Sequence, residues 1–181
     1  AFFFMSVIVS VFLGLSISAE EINRDLRILA RERFLNLSWV CYVNSKVAYL
    51  AAVTGIQMAL YTFCANYIVA LPGMSLKMWL VLFSCAMTSC LIGLNISASF
   101  KTAVTVYILI PLLIIPQMLL CGVVIKYDPL IPANSGNTLT PWYADLVPAR
   151  WGYEALVVDQ FRTNEYMRHF LEYEAVIRQN E

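Results

Sequence analysis

Charge is scarce in this chain. Of 181 residues, 12 are Lys or Arg and 12 are Asp or Glu, so charged residues make up 13% and hydrophobic residues 60%; a soluble domain is about a quarter charged. Such a chain cannot cover its surface with polar groups, and lipid is its expected solvent. The formal net charge is zero, which leaves no basic footprint for a nucleic-acid partner. One histidine and five scattered cysteines, with no C-x-x-C and no Cys/His ligand spacing, exclude a legible metal site. The cysteines are expected to act as small packing residues. The opening Ala-Phe-Phe-Phe has no basic start, so residues 1–17 are not expected to be a secretory leader. Residues 1–17 read instead as a membrane helix entered partway along, so the sequence is expected to be a piece of a longer protein. Period-two alternation, internal repeats and low-complexity tracts are absent, which argues against a barrel.

What is present is four apolar runs, at 1–17, 46–71, 76–100 and 102–126. A bilayer core of roughly 30 Å takes about 20 helical residues. Backbone groups in lipid must be satisfied internally, so the runs are expected to be helices. The linker at 18–45 carries four arginines among as many acidic residues, and residues 127–181 form a Pro- and aromatic-rich outer segment. If the linker is cytoplasmic, the short cytoplasmic loops hold Arg24, Arg27, Arg31, Arg33, Lys46 and Lys101, against Lys77 outside. The positive-inside rule therefore sends the first helix inward. The fold class is an all-α integral membrane protein: four membrane helices, a cytoplasmic amphipathic helix, and an outer interfacial or re-entrant helical segment. A small soluble cap is the alternative for that outer segment. Tyr153, Leu156, Val157 and Phe161 form its expected apolar stripe.

Eight of the 24 charges lie between Glu20 and Arg33. Ser18-Ala-Glu-Glu21 fits a capping box that would start a helix at the membrane exit. Glu21 and Arg24 are spaced i,i+3, and Ile22, Leu26, Leu29 and Ala30 line the other face. The bland reading is a solvated linker or a helix lying on anionic lipid. The functional reading is a docking helix, because its mixed charges suit a protein surface better than a lipid one. Apart from the lysines at their edges (Lys46, Lys77 and Lys126), the runs hold no Asp, Glu, Lys, Arg or His across 1–17, 47–71, 78–100 and 102–125, which disfavours an ion-coupled carrier. Gln57, Asn66, Asn95 and Gln117 are expected to hydrogen-bond between helices.

Three stretches resemble the membrane domain of ABC transporters of the G subfamily (white, sterol and multidrug type) and their bacterial relatives. They are Ser18-Ala19-Glu20 with Arg31-Glu32-Arg33-Phe34, then Pro116-Gln-Met-Leu-Leu-Cys-Gly122-Val-Val, and Val147-Pro-Ala-Arg-Trp-Gly-Tyr-Glu-Ala-Leu156. Eukaryotic members of that subfamily usually carry cysteines in the last external loop, so their absence from 127–181 makes the resemblance imply a bacterial member, in the plasma membrane.

The resemblance implies a partial type-2 exporter membrane domain that pairs with a second copy or a related domain, in contact with membrane lipid. It also implies a nucleotide-binding domain carrying ATP and Mg2+. No G-x-x-x-x-G-K-[ST] occurs in this chain, so no cofactor and no catalytic site is expected here. Coupling to the nucleotide-binding domain would fall to Glu21, Arg24, Arg27, Arg31, Glu32 and Arg33, with Glu32 and Arg33 as the foremost ion-pair candidates. Val11, Gly14, Pro111, Ile115 and Met118 would line a substrate path, and Val123 with Val124 would form a hydrophobic plug. Each of these residues could instead face lipid or pack between helices. The competing reading of the whole chain is a non-transporting assembly or docking subunit.

Overall fold

The computed structural model describes residues 2–32, 38–69, 74–100, 103–124 and 142–163. Six α-helices follow in order: α1 Phe2–Ser18, α2 Glu21–Glu32, α3 Trp39–Val69, α4 Ser75–Ser99, α5 Ala103–Leu119 and α6 Pro148–Thr163. A 3-10 turn at Trp142–Leu146 precedes α6. Three segments are long and apolar enough to cross a membrane: the one beginning with α1, then α3, then α4. The first of these segments runs Phe2–Asp25, and its charged residues, Glu20, Glu21, Arg24 and Asp25, all follow the apolar α1.

The closest helix pair is α1 against α4, and its sequence explains why. Ser6, Ser10, Gly14 and Ser18 recur every fourth residue on α1, and Ala86, Ser89, Cys90, Gly93 and Ser97 line one face of α4; all are buried. Small residues at this spacing let two backbones approach, which is the main source of helix association in lipid. The approach is close. A Cβ added to Gly14 would sit 2.4 Å from the Ala86 carbonyl oxygen, and one added to Gly93 would sit 2.0 Å from Ser18 Oγ. The Cys90 thiol donates to the Gly14 carbonyl at 3.3 Å. Val7, Val11 and Leu15 alternate with this column and are fully buried.

Helix α3 covers the other side of α4 with a stripe of Leu50, Thr54, Met58, Thr62 and Ala65. Trp79 Nε1 donates to the Gly55 carbonyl at 3.0 Å. The Tyr61 hydroxyl donates to Ser6 Oγ at 2.9 Å and joins α3 to α1. Interhelical bonds of this kind contribute roughly 0.6 kcal/mol in membrane proteins. Tyr61→Phe is therefore expected to lower the melting temperature in detergent by no more than a few degrees. The polar glue differs from the sequence expectation. Asn95 Nδ2 donates within its own helix, to Leu91. Gln57, Asn66 and Gln117 each bury a side-chain carbonyl oxygen with no partner among the described residues. Hydroxyl, thiol and indole groups hold the helices together instead.

Helix α5 buries Val106, Ile110, Ile114 and Gln117, with Cys121 buried just past its end, and leaves Val104, Ile108, Leu112 and Ile115 exposed on the opposite face. Its 17 helical residues span about 25 Å at 1.5 Å each, less than the roughly 30 Å of a bilayer core. The chain leaves the helix through Gly122, whose φ of 83° is the left-handed conformation favoured at helix C-termini. Helix α6 fills the space beyond. Its first residues, Pro148 and Ala149, present carbonyls to the thiols of Cys85 on α4 (3.8 Å) and Cys121 (3.5 Å). Gly152 is pressed so close that a Cβ would meet Cys85 Sγ at 2.3 Å. Phe4 and Tyr153 meet edge to face at 6.3 Å.

The outer segment thus enters the bundle rather than lying flat. Its buried face is Ala149, Gly152 and Leu156, while Phe161, expected on that face, is exposed. At position 152 only glycine fits, because Cys85 of α4 and Val7 of α1 fill the space that a side chain would need.

Candidate functional site

The densest polar cluster among the described residues sits where α1 gives way to α2. The expected capping box does not form. Ser18 turns its hydroxyl back onto the carbonyls of Gly14 (2.8 Å) and Leu15 (3.3 Å), because Gly93 of α4 draws that side chain into the α1–α4 seam. The first turn of α2 is capped from another helix. Ser97 Oγ accepts from the backbone N–H of Ile22 and of Asn23, both at 3.1 Å. These are the second and third residues of α2, the two donors that an N-cap oxygen normally takes from its own chain.

Freed from a capping role, the Glu21 carboxylate serves as an anchor. It is 6% exposed. It accepts from Lys46 Nζ at 2.7 Å and from Arg24 at 3.0 Å. Lys46 also meets Asp25 at 2.6 Å, and the Tyr42 hydroxyl donates to Asp25 at 3.2 Å. One ammonium thus bridges two carboxylates that lie a helical turn apart on α2, which is why i,i+4 spacing of Glu21 and Asp25 matters. Its hydrogen bond, with added attraction from Tyr42 and Arg24, holds the Asp25 carboxyl below the usual carboxylate range despite some burial. The resulting stability is present above that usual range and is lost as pH falls through the lowered value. Glu20 lies near Tyr107 at the start of α5. The start of α2 is therefore tied to α3 and α4, with α5 adjacent.

A second charged group lies at the opposite end of the bundle. Arg150 is 8% exposed, and it pairs with Asp145 and, at 3.8 Å, with Glu154. Its guanidinium stacks over Trp151, 4.9 Å from the ring centre. Lys77 and Asp159 join α4 to α6 at the same end, at 2.6 Å.

Of the expected coupling residues, Glu21 and Arg24 come together in the cluster. The side chains of Arg27, Arg31 and Glu32, and all of Arg33, fall outside the described residues. Of the α2 stripe, Leu29 is buried, Ile22 is half-buried, and Leu26 and Ala30 lie outside the description. Val11 and Gly14, expected on a substrate path, sit in the α1–α4 interior. Pro111 and Ile115 share the exposed face of α5, and Met118 packs partly against the core. Val123 and Val124 are exposed beyond Gly122.

Asp25, Tyr42, Lys46, Ser97 and Arg150 are the site members that the sequence did not point to. Arg150 lay inside a quoted motif. Lys46 was visible only as one more basic residue, and Ser97 gave no signal at all. Among the described residues no group of His, Cys, Asp and Glu is placed to hold a metal.

No solved structure matches the chain. It is similar to the ABC transporter ATP-binding/permease protein Rv1747 of Mycobacterium tuberculosis, 23% identical over 154 residues. The match covers 81% of this chain and 17% of that protein, so the chain spans about a sixth of its relative's length. The family model described as ABC-2 type transporter matches residues 1–161. With its apolar all-helical bundle and charged elbow, the chain belongs to the ABC-2 type transporter membrane family.

Proposed function

We propose that this permease domain is the membrane half of an ATP-driven exporter of hydrophobic or amphipathic compounds, and that α2 receives the stroke. The observation that carries the reading is the Lys46 clamp on Glu21 and Asp25, which makes a charged amphipathic helix a rigid extension of the membrane bundle. A solvated linker has no need of a carboxylate buried against a lysine from the next helix. The positive-inside count sets this end in the cytoplasm.

ATP and Mg2+ belong to a nucleotide-binding domain, on the same polypeptide or on a partner, as the combined ATP-binding/permease name of the relative suggests. The exposed α5 face with Pro111 and Ile115 is offered to a second membrane domain and to substrate. Val123 and Val124 would close the path at its outer end. The quoted motifs favour the G-type subfamily and a bacterial plasma membrane.

The test is ATP-dependent uptake of a labelled sterol, a phospholipid and a lipophilic cation into inside-out vesicles holding the assembled transporter. Glu21→Gln is expected to lower uptake of the transported class about ten-fold while membrane insertion is kept. A nucleotide-binding assembly that moves none of the probes and shows no vanadate-sensitive ATPase would favour the docking-subunit reading instead.

A further inference from the structure

A helix cap supplied from 75 residues away is an unusual way to satisfy two backbone donors. Ser97 lies on the last turn of α4, 1% exposed, between Gly93 and the chain that leads into α5. One turn before it, Gly93 admits the Ser18 side chain at the end of α1. The first turn of α2 therefore has two separate attachments. Lys46 of α3 holds its carboxylates. Ser97 of α4 holds its backbone. The two differ in kind. A long lysine side chain can follow a moving carboxylate through rotamer changes. A buried serine hydroxyl on one rotatable bond cannot, so α2 and the end of α4 must move together or part.

We propose that Ser97 is the positioning residue through which movement of α2 is delivered to α4, and so to the α4–α5 corner. The assignment rests on the coupling role proposed for α2. It goes further by choosing one of the contacted helices as the recipient and one hydroxyl as the link.

Hydrogen exchange of the assembled transporter in lipid nanodiscs, with and without ATP plus vanadate, separates the possibilities. In the parent protein, nucleotide is expected to change exchange both in α2 and in the final turns of α4. In Ser97→Ala, the amides of Ile22 and Asn23 should exchange about five-fold faster, as loss of an N-cap implies. The response of α2 to nucleotide should persist, while the response of α4 falls at least about three-fold. Ser97→Thr keeps the hydroxyl and should retain the α4 response. Should the alanine variant fail to insert, Ser97→Cys replaces it, since sulfur keeps the volume but accepts weakly. An undiminished α4 response in the alanine or cysteine variant overturns the proposal and leaves the coupling role of α2 standing. Equal loss in the threonine variant also overturns it. A parent protein whose α2 ignores nucleotide overturns the coupling role itself.

Discussion

Gly14→Ala is expected to unseat α1 from α4. The added methyl carbon would lie 2.4 Å from the Ala86 carbonyl oxygen, 3.1 Å from its carbon and 3.1 Å from Ser89 Cβ. The first two are backbone atoms of a helix, so no side-chain rotation relieves the overlap. The same step disturbs the Gly14 carbonyl, which accepts from Ser18 and from Cys90. Alanine gains about 1 kcal/mol over glycine in helix propensity, but overpacking of a close-packed seam costs about 3 kcal/mol and occasionally more. At about 2–4 °C per kcal/mol for a chain of this size, the net loss should lower the detergent melting temperature by about 4–8 °C. Gly55→Ala supplies the contrast. Its nearest neighbour is the Phe83 ring at 3.5 Å, an ordinary contact. That variant should melt at or slightly above the parent temperature. Equal behaviour of the two glycine variants would show that the α1–α4 seam is looser than described.

The seam also marks the boundary of what could be read in advance. Apolar runs are written in composition, so the presence of membrane helices was legible. The small-residue column on α1 was present in Ser6, Ser10, Gly14 and Ser18, yet nothing in one sequence says which helix such a column faces. That is why Gly14 read as well as a path-lining residue as a packing one. The local capping signal at Ser18 misled for a related reason. A serine three residues before a glutamate is a helix start in water, but a buried serine beside a glycine of another helix has a competing partner. Tertiary contact prevailed over local propensity. Ser97 was invisible because a cap from another helix leaves no spacing to detect. The depth of α6 was only half legible. Pro148, Arg150 and Gly152 announced an unusual segment, and the shortness of α5 that makes room for it appears only when the chain turns at Gly122.

Removing the Lys46 ammonium should leave two carboxylates facing one another without a counter-charge between them. In Lys46→Met the carboxylates of Glu21 and Asp25 would both still point at the site that Nζ occupied, 2.7 and 2.6 Å away. The side chains of Lys46, Glu21 and Asp25 are 20%, 8% and 17% exposed, so water reaches them only in part. Breaking a fully buried pair costs about 3–5 kcal/mol, and the partial access here brings the expected loss to about 2–3 kcal/mol. Arg24, 70% exposed, is a poor substitute, and Arg24→Met should cost less than about 1 kcal/mol.

The pH dependence has a definite sign. With Lys46 present, the Asp25 carboxyl is held low, and its contribution is complete at neutral pH and lost in acid. Without Lys46 the two carboxylates repel, and acid relieves that repulsion by protonating them. The melting gap between parent and Lys46→Met should therefore be widest near neutrality and should narrow toward about pH 4, near the ordinary carboxylate value. Adding Glu21→Gln and Asp25→Asn to Lys46→Met should recover most of the lost stability, because neutral amides need no counter-charge. It should not recover transport, since the link from α2 to α3 would no longer be ionic. A pH-independent gap, or an Arg24→Met loss as large as that of Lys46→Met, would show that the elbow is not organised around this lysine.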